Sequence, residues 1–215
     1  MAHLIIHRGI VNKQYKENLL KSFKQSFQKG YGIETDIHAT KDHEFICFHD
    51  FTLNRIFKKK ESVKNMEYSQ IKKISTQNKK PIPLLNDLLK TSKNKHSLFI
   101  EIKPDFSKEL LKKLLKETSK FSKCVLISFK HKNIYNLSKI KRNTKVGLSF
   151  SSSTSAKTII KKSNNKKIDC LILDKFFLKS KIIQDLKIKK YYYTIKKKSE
   201  FNKYSKNNNL IFEYL

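Results

Sequence analysis

Short apolar runs alternate with amphipathic stretches along nearly the whole chain. Strand-like runs fall at residues 3–6, 33–37, 45–48, 97–102, 124–129, 146–150, 168–173, 191–195 and 210–212. Stretches with helical periodicity lie between them, at residues 17–28, 68–74, 81–90, 106–118, 134–140, 158–162, 180–186 and 200–204. Strand and helix in turn, about eight times, argue for a parallel sheet crossed by helices. Eight such repeats in 215 residues argue for an α/β fold of the closed (β/α)8 or TIM-barrel type, at the short end of its size range. Residues 57–83, lysine-rich and weakly patterned, read as a short insertion in the first half. A doubly wound open sheet is the alternative, but it would not so readily bring the ends of four consecutive strands into one pocket.

A barrel of this kind places its chemistry at the C-terminal ends of the strands, and those ends are unusual here. The run Ile33-Glu34-Thr35-Asp36-Ile37 alternates apolar and acidic residues, so Glu34 and Asp36 share one face of a strand. A lone carboxylate pair is more often a solvated face than a metal site. Other strand ends repeat the theme, however. The first run ends in His7-Arg8-Gly9, the next apolar run delivers His49 and Asp50, and the run 97–102 carries Glu101 with Lys103 two residues on. Each of the first four strands is therefore expected to end on chemistry. Carboxylates converging on one mouth repel unless a cation sits among them, and a hard divalent ion with oxygen ligands is the economical answer. His38 is read as pointing away from Glu34 and Asp36, and His131 as exposed. Asp169 and Asp174 are read as caps.

Composition narrows the function classes. The formal net charge is +30, which invites a nucleic-acid reading. The 48 basic residues, however, are 45 Lys and 3 Arg, and Arg is the residue of bidentate phosphate and base contacts. Residues 1–57 have a net charge of only +2, leaving +28 in residues 58–215. The excess reads as a lysine bias filling solvated positions, with attraction of anionic substrates or an anionic membrane surface as its consequence. Cys47, Cys124 and Cys170 are widely spaced within or beside apolar runs, as buried reduced thiols would be. No apolar stretch approaches membrane-spanning length. A cleaved leader would remove His7-Arg8-Gly9, so none is expected, and the expected location is cytoplasmic.

Taken in order, His7-Arg8-Gly9, Glu17-Asn18, Glu34-Thr35-Asp36, His49-Asp50 with Leu53 and Arg55, and Glu101-Ile102-Lys103 resemble the motif series of the glycerophosphodiester phosphodiesterases. The match is dense over residues 3–104 and looser beyond. The resemblance implies one barrel domain over residues 1–215. It implies metal-dependent hydrolysis of small anionic phosphodiesters to an alcohol and sn-glycerol 3-phosphate. It assigns Glu34, Asp36 and Glu101 to one divalent cation, Mg²⁺ or Ca²⁺, His7 and His49 to general acid and base, and Arg8 and Lys103 to the phosphate oxygens. Glu17, Asn18 and Asp50 would support these from behind. Leu19 stands where the family usually has Thr, and Lys196 in Tyr193-Thr194-Ile195-Lys196 stands where it usually has Asn. The chain reaches Glu213-Tyr214 where relatives often have an Asp-rich strand end. Two alternatives remain: lysophospholipase D-like or phospholipase C-like action on lipids, or a basic binding protein for nucleic acid or membrane with an inactive site.

Overall fold

The computed structural model describes residues 2–215. Its strands are β1 (Leu4–His7), β2 (Gly32–Ala39), β3 (Phe45–Cys47), β4 (Leu98–Ile102), β5 (Cys124–Ser128), β6 (Lys145–Phe150), β7 (Cys170–Asp174), β8 (Lys189–Ile195) and β9 (Asn209–Phe212). The helices are α1 (Leu20–Gln28), α2 (Asn54–Phe57), α3 (Tyr68–Gln77), α4 (Leu85–Ser92), α5 (Lys108–Thr118), α6 (His131–Ser138), α7 (Ala156–Ser163), α8 (Lys181–Gln184) and α9 (Lys198–Tyr204).

Eight strands pair in parallel in the order β1-β9-β8-β7-β6-β5-β4-β2, and β1 pairs back onto β2. The sheet therefore closes, as the alternation of elements predicts. Ile5, Phe99, Val125, Ile127, Cys170, Ile172, Tyr191 and Ile211 fill the space it encloses. The opposite faces of the same strands, through residues such as Ile6, Ile33, Ile100 and Leu126, pack on Phe23 and Phe27 of α1, Leu88 and Leu89 of α4 and Leu111 and Leu114 of α5. Ser107 starts α5 by accepting the Leu110 N–H on its side chain. Gly147 is required inside the barrel, because a Cβ there would lie 2.7 Å from Cys170 Sγ.

One expectation is corrected. The run 45–48 is not a stave of the barrel. β3 pairs antiparallel with the end of β2, Ile37 opposite Cys47 and Ala39 opposite Phe45, and β2 continues the barrel directly to β4. The reason is chain length. Only residues 40–44 separate β2 from β3, too few for a parallel crossover but ample for a hairpin. The insertion that follows builds its own small core on β3, from Ile46, Phe48, Leu53, Phe57, Val63, Met66, Ile71 and Ile82.

Candidate active site

All ten sequence-derived candidates converge on the mouth at the C-terminal ends of the staves. His7, Arg8, Glu34, His49, Glu101 and Lys103 line one cavity of about 310 Å³. β1 and β2 supply the first wall, since His7 is in register with Glu34 and Asp36 with Glu101 of β4. The chain leaves β1 through Arg8 at φ 56° and Gly9 at φ 75°. A Cβ on Gly9 would stand 3.0 Å from both Phe23 and Ser22 of α1, so the tight turn admits glycine in both conformation and space. This turn aims the Arg8 guanidinium back over the strand ends. His49 reaches the mouth by the hairpin, with the Phe48 N–H donating to the Asp36 carbonyl at 2.9 Å.

The acidic residues form a compact set. Glu34, Asp36 and Glu101 are buried, and one carboxylate oxygen from each lies within 4.8 Å of the others. Glu34 Oε2 is buried with no hydrogen-bond partner. Burial, and then the charges of Asp36 and Glu101, push the Glu34 pKa well above its usual range. Burial and Asp36 raise Glu101 to about 7. Three carboxylates so placed are an unfavourable arrangement by themselves. An unpartnered buried carboxylate oxygen, all-oxygen donors and close spacing fit a hard divalent cation.

The cations are held against these acids. Lys103 Nζ lies 2.9 Å from Glu101 and 3.4 Å from Asp36. Burial works against the Lys103 charge, but Glu101 and Asp36 outweigh it and raise its pKa. Arg8 Nε approaches Asp36 to 3.2 Å, yet is too poorly aligned to form a hydrogen bond. Its guanidinium also faces Glu17 at 3.5 Å. Neighbouring supports hold the set in place. Asn18, at φ 55°, donates its side-chain N–H to Asp36 at 3.4 Å and accepts from Thr35 at 2.8 Å.

The two histidines have different surroundings. Burial, and then the Arg8 charge, lower the His7 pKa to about 3, so the ring is neutral near pH 7. Its Nε2 faces Glu34 and its Nδ1 faces Glu213, each at 3.9 Å. His49 Nδ1 lies 2.7 Å from Asp50 Oδ1. Burial opposes ionisation of Asp50, but hydrogen bonds from Arg55 and His49 outweigh it and hold its pKa low. An ionised carboxylate only accepts, so Nδ1 carries the proton and Nε2 is the basic nitrogen of the neutral ring. Arg55 donates from Nε to Asp50 at 2.6 Å and also grips Glu17 through a terminal nitrogen. Arg8, Glu17, Arg55, Asp50 and His49 thus form one chain of polar contacts around the mouth.

Sequence reasoning missed several residues here. His38 has the same parity as Glu34 and Asp36 and so shares their face. It is buried, and its Nε2 lies 3.1 Å from the His49 carbonyl oxygen, beneath the hairpin. Glu213 is two residues past the inward-facing Ile211, so the same alternation would have found it. It pairs with Lys196 at 3.0 Å as well as facing His7. His131 is also not free in solvent, since its Nε2 contacts the Ser149 carbonyl oxygen at 2.8 Å. Asp174 does cap, accepting the Phe176 N–H.

Fold and donor set together define a (β/α)8 protein with a candidate divalent-cation site at the mouth of its barrel. The chain belongs to the glycerophosphoryl diester phosphodiesterase family, whose model matches residues 7–210. A glycerophosphodiester phosphodiesterase of Caldanaerobacter subterraneus subsp. tengcongensis is 30% identical over 162 residues, covering 68% of this chain and 66% of that protein. One from Bacillus altitudinis is 31% identical over 110 residues, covering 47% of this chain and 44% of that protein. The matched segment thus spans at most about two thirds of these relatives. Among solved structures, a glycerophosphodiester phosphodiesterase of Thermotoga maritima superposes with a TM-score of 0.84 at 18% identity, over 99% of this chain and 94% of that one. An Oleispira antarctica phosphodiesterase, solved with the product sn-glycerol-3-phosphate, gives 0.83 at 20% identity, over 98% and 92%. At these identities the structural likeness carries the fold.

Proposed function

We propose that this chain hydrolyses glycerophosphodiesters, releasing an alcohol and sn-glycerol 3-phosphate. The observation that carries the reading is the buried acidic triad with its unpartnered Glu34 oxygen, facing two histidines and two cations across one cavity. Glu34, Asp36 and Glu101 would hold one divalent cation, Mg²⁺ or Ca²⁺. When bound, it would supply positive charge against the phosphoryl oxygens and relieve the repulsion among the three carboxylates. Arg8 and Lys103 would neutralise the anionic phosphodiester, which otherwise repels an attacking oxygen.

The histidines divide the proton work. Burial and Arg8 keep the His7 ring unprotonated, so it is free to accept a proton from the attacking hydroxyl, whether of water or of the neighbouring glycerol carbon. His49, with Nδ1 committed to ionised Asp50, can carry a proton on Nε2 and deliver it to the departing alkoxide as the bond from phosphorus to oxygen breaks. The substrate is a small anionic phosphodiester, with peripheral contact to anionic membrane as a further consequence of the charge. Three buried, unpaired cysteines suit a reducing compartment such as the cytoplasm.

The reading is tested by release of glycerol 3-phosphate from glycerophosphocholine and glycerophosphoethanolamine. Chelator-stripped protein is resupplied with Mg²⁺ or Ca²⁺, beside His7→Ala, His49→Ala and Glu34→Ala. Metal-restored turnover, lost in all three variants, is expected. A wild-type protein inert with both metals sinks the reading.

A further inference from the structure

The side of the cavity away from the triad holds a polar atom that none of the roles above uses. Ser149, on β6, is 2% exposed, and its Oγ is buried without a hydrogen-bond partner. It lines the same cavity as His7 and Glu34. In the ring of eight staves β6 is four places from β1 in either direction, so Ser149 faces His7 across the barrel mouth. Its neighbours on the adjoining strands are apolar or aromatic. Ile127 lies on β5, Ile172 is its register partner on β7, and Phe129 and Tyr193 stand above, with ring centroids 5.7 Å apart and nearly perpendicular.

Its backbone is firmly placed. The Ser149 carbonyl oxygen accepts from His131 Nε2 at 2.8 Å, and the Lys162 ammonium donates to His131 Nδ1 at 2.6 Å, which leaves the proton on Nε2 as required. The Tyr193 hydroxyl is committed elsewhere, donating to the Phe150 carbonyl at 3.0 Å. A buried hydroxyl held in a rigid wall and left unpaired destabilises the free protein. Such a group is explained when a ligand completes it.

Resting on the proposed activity, we infer that Ser149 Oγ binds a hydroxyl of the substrate's glycerol arm and so selects glycerol over an apolar alcohol in that position. With phosphorus held between Arg8, Lys103 and the triad, one ester arm must cross toward β5–β8. The wall there offers apolar and aromatic faces with two aliphatic hydroxyl-bearing residues, Ser149 and Thr194. That suits the CH₂ faces and hydroxyls of a polyol. A quaternary ammonium would leave Ser149 unpaired, and a second phosphate would meet only Lys196, already paired with Glu213 at 3.0 Å. A site built around a substrate hydroxyl discriminates well, because the analogue lacking it leaves the buried group orphaned.

The test is a binding cycle that needs no turnover. Dissociation constants for sn-glycerol 3-phosphate and n-propyl phosphate are measured by calorimetry with wild type and Ser149→Ala, with Mg²⁺ and without. Wild type should prefer the glycerol ester by about tenfold, a hydrogen bond's worth of about 1.4 kcal/mol. Ser149→Ala should lose that preference while binding n-propyl phosphate as wild type does, and its melting temperature should not fall, since no intramolecular bond is lost. A preference retained in the variant, or equal weakening of both ligands, overturns the inference. Hydrolysis of glycerophosphocholine by wild type, run alongside, reports separately on the activity, so failure of the one is not mistaken for failure of the other.

Discussion

Glu34 shows how a single atom can define a site. Its buried, unpartnered oxygen and raised pKa describe a carboxylate waiting for positive charge. In metal-free protein, Glu34 and Glu101 hold protons more tightly when folded than when unfolded. As pH rises from the ordinary carboxyl value near 4.5 toward 7, the unfolded chain releases these protons first, and the folded state loses stability across that window. The melting temperature of chelator-treated protein should therefore fall over this interval. Glu34→Gln should flatten the fall and raise the metal-free melting temperature near pH 7. With cation at about 100 times its Kd, wild type should gain about 2.7 kcal/mol and Glu34→Gln almost nothing, both read by calorimetric melting. At this scale the motif residues were legible because strand period two puts Glu34 with Asp36 and Glu101 with Lys103. The same rule, applied without a parity slip, also places His38 beside them. The supporting place of Asp50 was legible in the motif series, but its grip by Arg55 was not, because Arg55 reaches it from the start of α2.

At the level of elements, the β2–β3 hairpin is the device that brings a histidine to the mouth without spending a barrel stave on it. The chain leaving β3 is held by Arg55, which bridges Asp50 and Glu17. Arg55 is 48% exposed on its side chain, so the pair adds less than about 1 kcal/mol to stability. Arg55→Met should leave the melting temperature within about 3 °C of wild type and lower kcat by about tenfold, because Asp50 then holds His49 less firmly. Steady-state kinetics beside a melting curve separates the two effects. Gly147 makes the opposite prediction. Gly147→Ala drives a methyl against Cys170 inside the packed barrel and should destabilise by about 1–3 kcal/mol, measured by denaturant unfolding, with its effect on kcat coming second. The alternation of elements was readable from periodicity. That β3 lies outside the ring was also readable, from the five residues joining it to β2, had loop length been weighed against the apolar run.

For the molecule as a whole, the charge is the dominant variable. A net charge of +30 surrounds a cavity that itself balances acids against cations. An anionic substrate should be drawn in by this field, and salt should weaken the pull as the screening length shortens from about 10 Å at 0.1 M toward about 3 Å at 1 M. The ratio kcat/KM for glycerophosphoglycerol, with one net negative charge, should fall by about threefold or more between about 50 and 500 mM salt. Glycerophosphocholine, which is net neutral, should change far less. Equal salt dependence for the two would remove the field from the account. Lysine rather than arginine carries the charge, and that distribution suits a solvated surface better than one built for base-edge contacts.

The amino-acid order alone determines the barrel, the mouth that bears the chemistry and most of the residues that line it, because period-two strands, amphipathic helices and short loops are local properties. Only the closed tertiary structure decides the rest. Whether a histidine is neutral, whether a carboxylate oxygen is left without a partner, and whether Ser149 faces His7 depend on which strands meet across the barrel. Burial and distance between residues far apart in the chain set those properties, and no local pattern encodes them.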